Sequence, residues 1–556
     1  MSGEVRGENV RGERGCPLRT RLIVPLTSHL LLLTSLTTSL AGQGTLAGRW
    51  DRIRLPHDAV RYDISVSLPA VDSAISVAIT TEWRRGASRP VILDLDSVMT
   101  VRRVAVNGAA VRWRREGHRV VIPLAARVGA SFRTEIQYDG VPRDGLVIRG
   151  GGPSRTIFAD NWPDRARYWL AVQDHPGDKA AVAWRVEAPG GYTVVANGRL
   201  EGIDSLPEAR RRWRFRNDEA IPAYTMVVGM ARFTISAMPA ATCATRCVPV
   251  SVYTYPQDSA TAVHGAFRRV SEMIDFFATR IAPFPYVELR HVQSSTRFGG
   301  MENSTAIFYD ERAVRDGRMS EATVAHETAH QWFGDAVTEA DWHHVWLSEG
   351  FATYGAALWA EHIGGDSALR QTMARARTTI VGSSVTDRPI LDSTITDPRR
   401  GLLNSNSYQK GSWVLHTLRG LIGDSAFFQG LRRYYRAYEH RTALSSDFAR
   451  IMAAESGQDL GWYFRQALTR PGYPVLEATA ALDGGHLVIT VRQTQKAAWG
   501  VFRMPNLQVR VGDRTITVNL SGREARVVTH WAGDTAPATV VIDPEGWWLF
   551  QVRGEK

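Results

Sequence analysis

The stretch His326-Glu327-Thr328-Ala329-His330, with Glu349 eighteen residues further on inside Trp346-Leu347-Ser348-Glu349-Gly350-Phe351, decides how this chain is read. Four positions apart on a helix, His326 and His330 project from one face, so two imidazoles can share a single zinc ion. Glu327 then lies beside the ion without being a ligand, in place for a general base. A catalytic zinc takes three protein ligands and leaves one position open, and Glu349 is the expected third. Ser320 followed by Glu321 supplies an N-cap and an acidic first turn for the helix that carries the histidines. Ser348 is expected to cap a second helix that runs to Gly364-Gly365. Two ordinary core histidines are the bland alternative, and two capped helices converging on one point argue against it.

Outward from this motif, 556 residues are too many for one core, and three or four domains are expected. Hydrophobic content of 44% and charged content of 22% are ordinary for a soluble globular protein. The net charge of +11 comes from scattered arginines, since only four of the 67 basic residues are lysines. The densest run, Arg210-Arg211-Arg212-Trp213-Arg214, lies in an alternating strand pattern. Clustered charge interleaved with stacking aromatics is missing, so no nucleic-acid partner is expected. Arg19 and Arg21 precede an apolar stretch from Leu22 to Leu40, and Ser39-Leu40-Ala41 offers small residues for cleavage. Residues 1–41 therefore read as a signal peptide of an exported protein, periplasmic or secreted. No stable membrane span is expected after cleavage. Cys243 and Cys247 are expected to form a local disulfide, with two free thiols as the rival.

Period-2 alternation marks residues 42–250 as an N-terminal antiparallel β domain, through Tyr62–Leu68, Ala74–Ile79, Val120–Leu124 and Trp213–Arg216. Turn signals such as Asn107-Gly108 and Asn197-Gly198 separate these strands. Near residue 260 the period becomes 3.6, with a helix expected over Val263–Ile281, and helical patterns fill a catalytic domain over 251–470. Alternation returns at Leu487–Val491, Leu507–Val511 and Thr515–Val518, which predicts a C-terminal β-sandwich over 471–556. The fold class expected is multidomain α+β.

Three segments together form a pattern. These are Phe298-Gly299-Gly300-Met301-Glu302-Asn303, the zinc motif with its eighteen-residue gap, and Tyr408-Gln409-Lys410-Gly411. In this order they resemble the gluzincin aminopeptidase family, which includes aminopeptidase N and leukotriene hydrolase, over nearly all of residues 55–556. The resemblance implies a thermolysin-like catalytic domain and one zinc on His326, His330 and Glu349. It also implies Glu327 as base and acid, Tyr408 as donor to the oxyanion, and Gly299, Gly300, Met301, Glu302 and Asn303 as the substrate-binding edge. Glu302 would hold the free α-ammonium of a peptide substrate. Asp160, seven residues before Arg167, falls where the family carries a second amine-binding Gln or Glu. Two departures stand out: Ala356 replaces a glutamate usual seven residues after the third ligand, and no long C-terminal helical domain follows the sandwich. The second departure predicts a more open cleft that favours long peptides. The expected activity is zinc-dependent removal of N-terminal residues from peptides. The rivals are an endopeptidase of thermolysin type, an epoxide hydrolase side activity and a dead interaction module. Oligomeric state is not readable.

Overall fold

In the computed structural model, residues 55–86, 89–242, 246–533, 535–537 and 539–554 are described. The expected signal segment 1–41 lies outside them, as does Cys243 of the expected disulfide; Cys247 is exposed at the start of its strand.

Alternating apolar residues build an eight-stranded sheet whose centre is the parallel pairing of His57–Ser67 with Lys179–Pro189. Tyr62, Ile64 and Val66 point to one buried face, paired across the strand with Val182, Trp184 and Val186. The arginine run lies on the strand Arg210–Pro222, where Arg212 meets Glu187 at 2.7 Å and Arg214 meets Asp204 at 3.3 Å. These arginines form a solvated, ion-paired sheet surface, as the alternation predicts.

The expected boundary at residue 250 falls inside a strand. Cys247–Thr254 belongs to a five-stranded mixed sheet with Thr234–Thr242, Leu289–Ser294, Ala306–Asp310 and Gly300–Met301. Chain from the β-rich half therefore continues directly into the sheet beneath the candidate cleft. The helix expected over Val263–Ile281 is interrupted: Ser259–His264 ends at Gly265 and a second helix occupies Val270–Arg280.

Three helices carry the central residues. We label them α1 (Glu321–His330), α2 (Trp346–Val381) and α3 (Gly411–Tyr438). Ser320 caps α1, its Oγ accepting from Thr323 N at 3.0 Å. Ser348 is not the cap of α2, which begins two residues earlier at Trp346. The expected stop at Gly364-Gly365 is a break instead, where Gly365 takes φ 67° before helical structure resumes. Beyond residue 474, two sheets enclose one core that includes Leu487, Ile489, Val509, Val518 and Phe550, in the manner of a sandwich. No helix among the described residues is long and apolar enough to cross a membrane.

The sandwich is fastened to α3 by His416, whose Nε2 lies 3.0 Å from Gly546 O and whose ring stacks on Trp547 at 4.8 Å. Burial lowers its pKa to about 4. Between that value and its ordinary pKa near 6.5, the unfolded chain binds the proton and the native chain does not. Stability from this site is therefore complete above about pH 6.5 and falls as pH drops towards 4. Replacing His416 with Gln should remove about 2 kcal/mol of the stability difference between pH 7 and pH 5. Urea titrations of both proteins at the two pH values measure this, and parallel losses in both would contradict it.

Candidate metal centre and cleft

His326 and His330 lie one turn apart on α1, and Glu349 lies in the first turn of α2. Their inner atoms form a nearly equilateral triangle. His326 Nε2 and His330 Nε2 are 3.0 Å apart, and Glu349 Oε2 is 3.3 Å from the first and 3.4 Å from the second. Ligand atoms about 2.0–2.1 Å from a tetrahedral zinc lie about 3.3–3.4 Å from one another, so the triangle fits that ion. The outer contacts agree. His330 Nδ1 lies 3.1 Å from the Phe333 carbonyl, which can only accept. That contact puts the ring proton on Nδ1 and leaves the Nε2 lone pair facing the triangle. Ser348 Oγ sits 3.2 Å from the same Nδ1, so the serine expected as a helix cap orients a ligand instead.

The electrostatics favour positive charge at the centre. Burial alone would lower the pKa of His330, yet Glu302, Glu349 and Glu327 raise it to about 10. Burial would raise that of Glu349, and contacts from His326 and His330 hold it near 2. Glu327 is pushed well above the usual carboxylate range by burial and by the neighbouring carboxylates.

Two close approaches, one of backbone to side chain and one of backbone to backbone, set this geometry. Gly300 faces Glu327 so tightly that an added Cβ would overlap the glutamate side chain. Gly350 on α2 and Gly411 on α3 touch backbone to backbone, with a Cβ on Gly350 falling 2.9 Å from Gly411 Cα. That contact brings the π-helical turn Asn406–Lys410 against the ligands. Tyr408 consequently donates to Glu349 Oε1 at 3.0 Å and stacks on His326. Burial and the surrounding carboxylates keep its phenol protonated.

The cleft beside the triangle is about 420 Å³ and is lined by Gly299, Gly300, Met301 and Glu302 on one side. Glu302 is 5% exposed, and its Oε1 has no hydrogen-bond partner. Burial raises its pKa to about 7 against the opposing charge of His330. Gln331, next to ligand His330, donates to Glu302 O at 2.9 Å and accepts from Thr305 N at 3.0 Å. This glutamine ties the glycine-rich strand to α1, a role that sequence reading missed although it adjoins the motif. Trp162 and Phe298, packed edge-to-face at 5.9 Å, add an apolar wall that was also missed.

Two expected substrate contacts are not brought to the cleft wall. Asn303 is fully buried behind it. Asp160 is 1% exposed, and its oxygens face Arg165 at 3.1 Å and Arg297 at 3.2 Å. Asp160 is thus held in an ion pair behind the cleft and does not line it, although its Oδ2 has no hydrogen bond among the described residues. Ala356, in the place of the usual glutamate, does line the cleft.

Residues 266–466 match the peptidase family M1 domain. The M1 zinc metallopeptidase from Deinococcus radiodurans superposes with a TM-score of 0.66 at 26% identity, covering 75% of this chain and 95% of that one. Residues 266–466 are a peptidase family M1 domain. A probable aminopeptidase of Saccharolobus solfataricus is 26% identical over 413 residues, spanning 70% of this chain and 51% of that protein. The glutamyl aminopeptidase of Sus scrofa is 26% identical over 570 residues, spanning 92% and 58%. The chain thus spans about half the length of the curated relatives it matches. Aminopeptidase A of Legionella pneumophila shares the fold at a TM-score of 0.78 and 16% identity.

Within this M1 domain, the Gly300–Glu327 contact gives a direct test. Gly300→Ala should lower turnover about 100-fold with metal content unchanged, because the glutamate must move by about 1 Å. Kinetics beside metal analysis checks this, and turnover within about threefold of the parent would contradict it.

Proposed function

We propose that this chain is a zinc aminopeptidase that removes single residues from the free N-termini of peptides. The observation that carries the reading is Glu302, a buried carboxylate with an unpaired oxygen on the cleft wall beside the ligand triangle. An ammonium group satisfies that oxygen through a charge-assisted hydrogen bond and is the natural occupant. Such a contact fixes the substrate by its first residue and makes cleavage count from the N-terminus. A thermolysin-type endopeptidase has no need of it.

His326, His330 and Glu349 would hold the zinc. When bound, zinc polarises the scissile carbonyl and makes a water molecule acidic near neutral pH. Glu327, whose carboxyl retains a proton readily in its buried setting, accepts the proton of the attacking water and passes it to the leaving amine. Tyr408, protonated and lining the cleft, donates to the oxyanion that forms at the carbonyl oxygen. Trp162, Phe298 and Met301 offer the side chain of the first residue an apolar surface, and no lysine or arginine among the described residues lines the cleft. Apolar and aromatic first residues are therefore preferred to acidic ones. Export is proposed as well, on the strength of the apolar segment 22–40 of the sequence alone.

A panel of aminoacyl anilides beside N-acetylated counterparts tests the reading. Free-amine substrates should be hydrolysed in a chelator-sensitive manner, with the acetylated ones inert. Glu302→Ala should cost about 2 kcal/mol in kcat/KM, roughly thirtyfold, for free-amine substrates. Glu327→Gln should abolish turnover while zinc remains bound. Cleavage of blocked and free substrates at equal rates would overturn the exopeptidase assignment even with zinc confirmed.

A further inference from the structure

A second cavity lies apart from the cleft, between α3, the helix Gly461–Thr469 and the C-terminal sandwich. Its volume is about 60 Å³, room for about four water molecules. The walls are mostly apolar and include Val414, Tyr473, Phe502, Met504 and Leu549. Their polar groups are already satisfied elsewhere. Tyr463 donates to Val414 O at 2.6 Å, Tyr473 donates to Val381 O at 3.3 Å, and Gln466 is paired with the backbone of Arg503.

Two lining residues are exceptions, and both are donors. Lys410 is 5% exposed, and among the described residues its ammonium has one acceptor, Arg470 O at 3.5 Å. Trp413 is 4% exposed, and its Nε1–H has no partner. Three positions apart in one helical run, the two lie on the same side of it. No aspartate or glutamate among the described residues lines the cavity. A buried ammonium with three protons and one long hydrogen bond is costly unless an anion joins it. Burial correspondingly lowers the pKa of Lys410 to about 7.

We propose that this cavity binds a small monocarboxylate of the size of acetate or propionate, with its carboxylate on Lys410 and Trp413 and its alkyl end against the apolar wall. Free amino acids are excluded, because their own ammonium would be buried beside that of Lys410. Inorganic anions are excluded because they leave the apolar wall unfilled. The site is separate from the metal centre, although Lys410 shares the π-helical turn of Tyr408.

Calorimetric titration of the zinc-loaded full chain tests the proposal, with the cleft held by a saturating aminoacyl hydroxamate so that carboxylates cannot compete for the metal. Acetate and propionate should each give saturable binding at one site per chain. Ethanol, alanine and sulfate should not. Lys410→Met should weaken propionate binding at least tenfold. Ala467→Phe, which keeps the lysine and fills the cavity, should do the same and decides the matter if the lysine variant does not fold. No saturable binding of either acid up to about 10 mM, or undiminished binding in Ala467→Phe, would overturn the assignment.

Discussion

Three ligand-type atoms from two helices face one another within 3.4 Å, and in the protein alone only a proton held on the imidazoles by the surrounding carboxylates offsets the repulsion among their lone pairs. A divalent cation relieves it, so the metal-bound state is where the energies of α1 and α2 are balanced. The rest of the catalytic region serves that constraint. Ser348 and the Phe333 carbonyl aim His330, and the Gly350–Gly411 contact presses the Tyr408 turn against Glu349. From the β-rich half, Lys179 reaches across to donate to the carbonyls of Asp335 and Ala336 at 2.7 and 2.8 Å. Tyr224 donates to Gly334 O at 3.2 Å in the same segment. The loop between the two ligand-bearing helices is thereby held by the neighbouring sheet as well as by its own helices.

A site with three buried carboxylates around one cation separates their tasks by environment. Glu349 faces the imidazoles and stays ionised. Glu327, packed under Gly300, is pushed towards the protonated form and is suited to carry a proton. Glu302 lies between these extremes, with one oxygen unpaired and turned to a cleft that an ammonium can enter. In the proposed function the same residue type thus serves as ligand, proton carrier and terminus anchor, and burial and neighbours decide which.

Much of this was legible in sequence because local periodicity carries it. The strands around Tyr62, Leu487 and Leu507 follow period-2 alternation, and the ligand spacing follows directly from the pitch of α1. What escaped depends on contacts between segments distant in the chain. Ser348 looks like a helix cap when its neighbours are read in order, yet its hydroxyl is directed to His330 on another helix. Asp160 looks like an amine ligand by its position, and only the folded chain brings Arg297 against it, some 137 positions away in sequence (297 − 160). The glycines of Gly350 and Gly411 read as turn or motif residues, although their function is a backbone contact between two helices. The strand Cys247–Thr254 escaped for a different reason: alternation identifies a strand but not the sheet it joins.

The central claim is that His326, His330 and Glu349 hold one zinc ion per chain. X-ray absorption at the zinc edge, beside metal analysis of the full chain, tests it most directly. The account predicts one equivalent of zinc with two imidazole nitrogens and carboxylate oxygen at about 2.0–2.1 Å, and loss of that zinc in His330→Ala. Sulfur ligation, or full zinc content surviving that substitution, would contradict it.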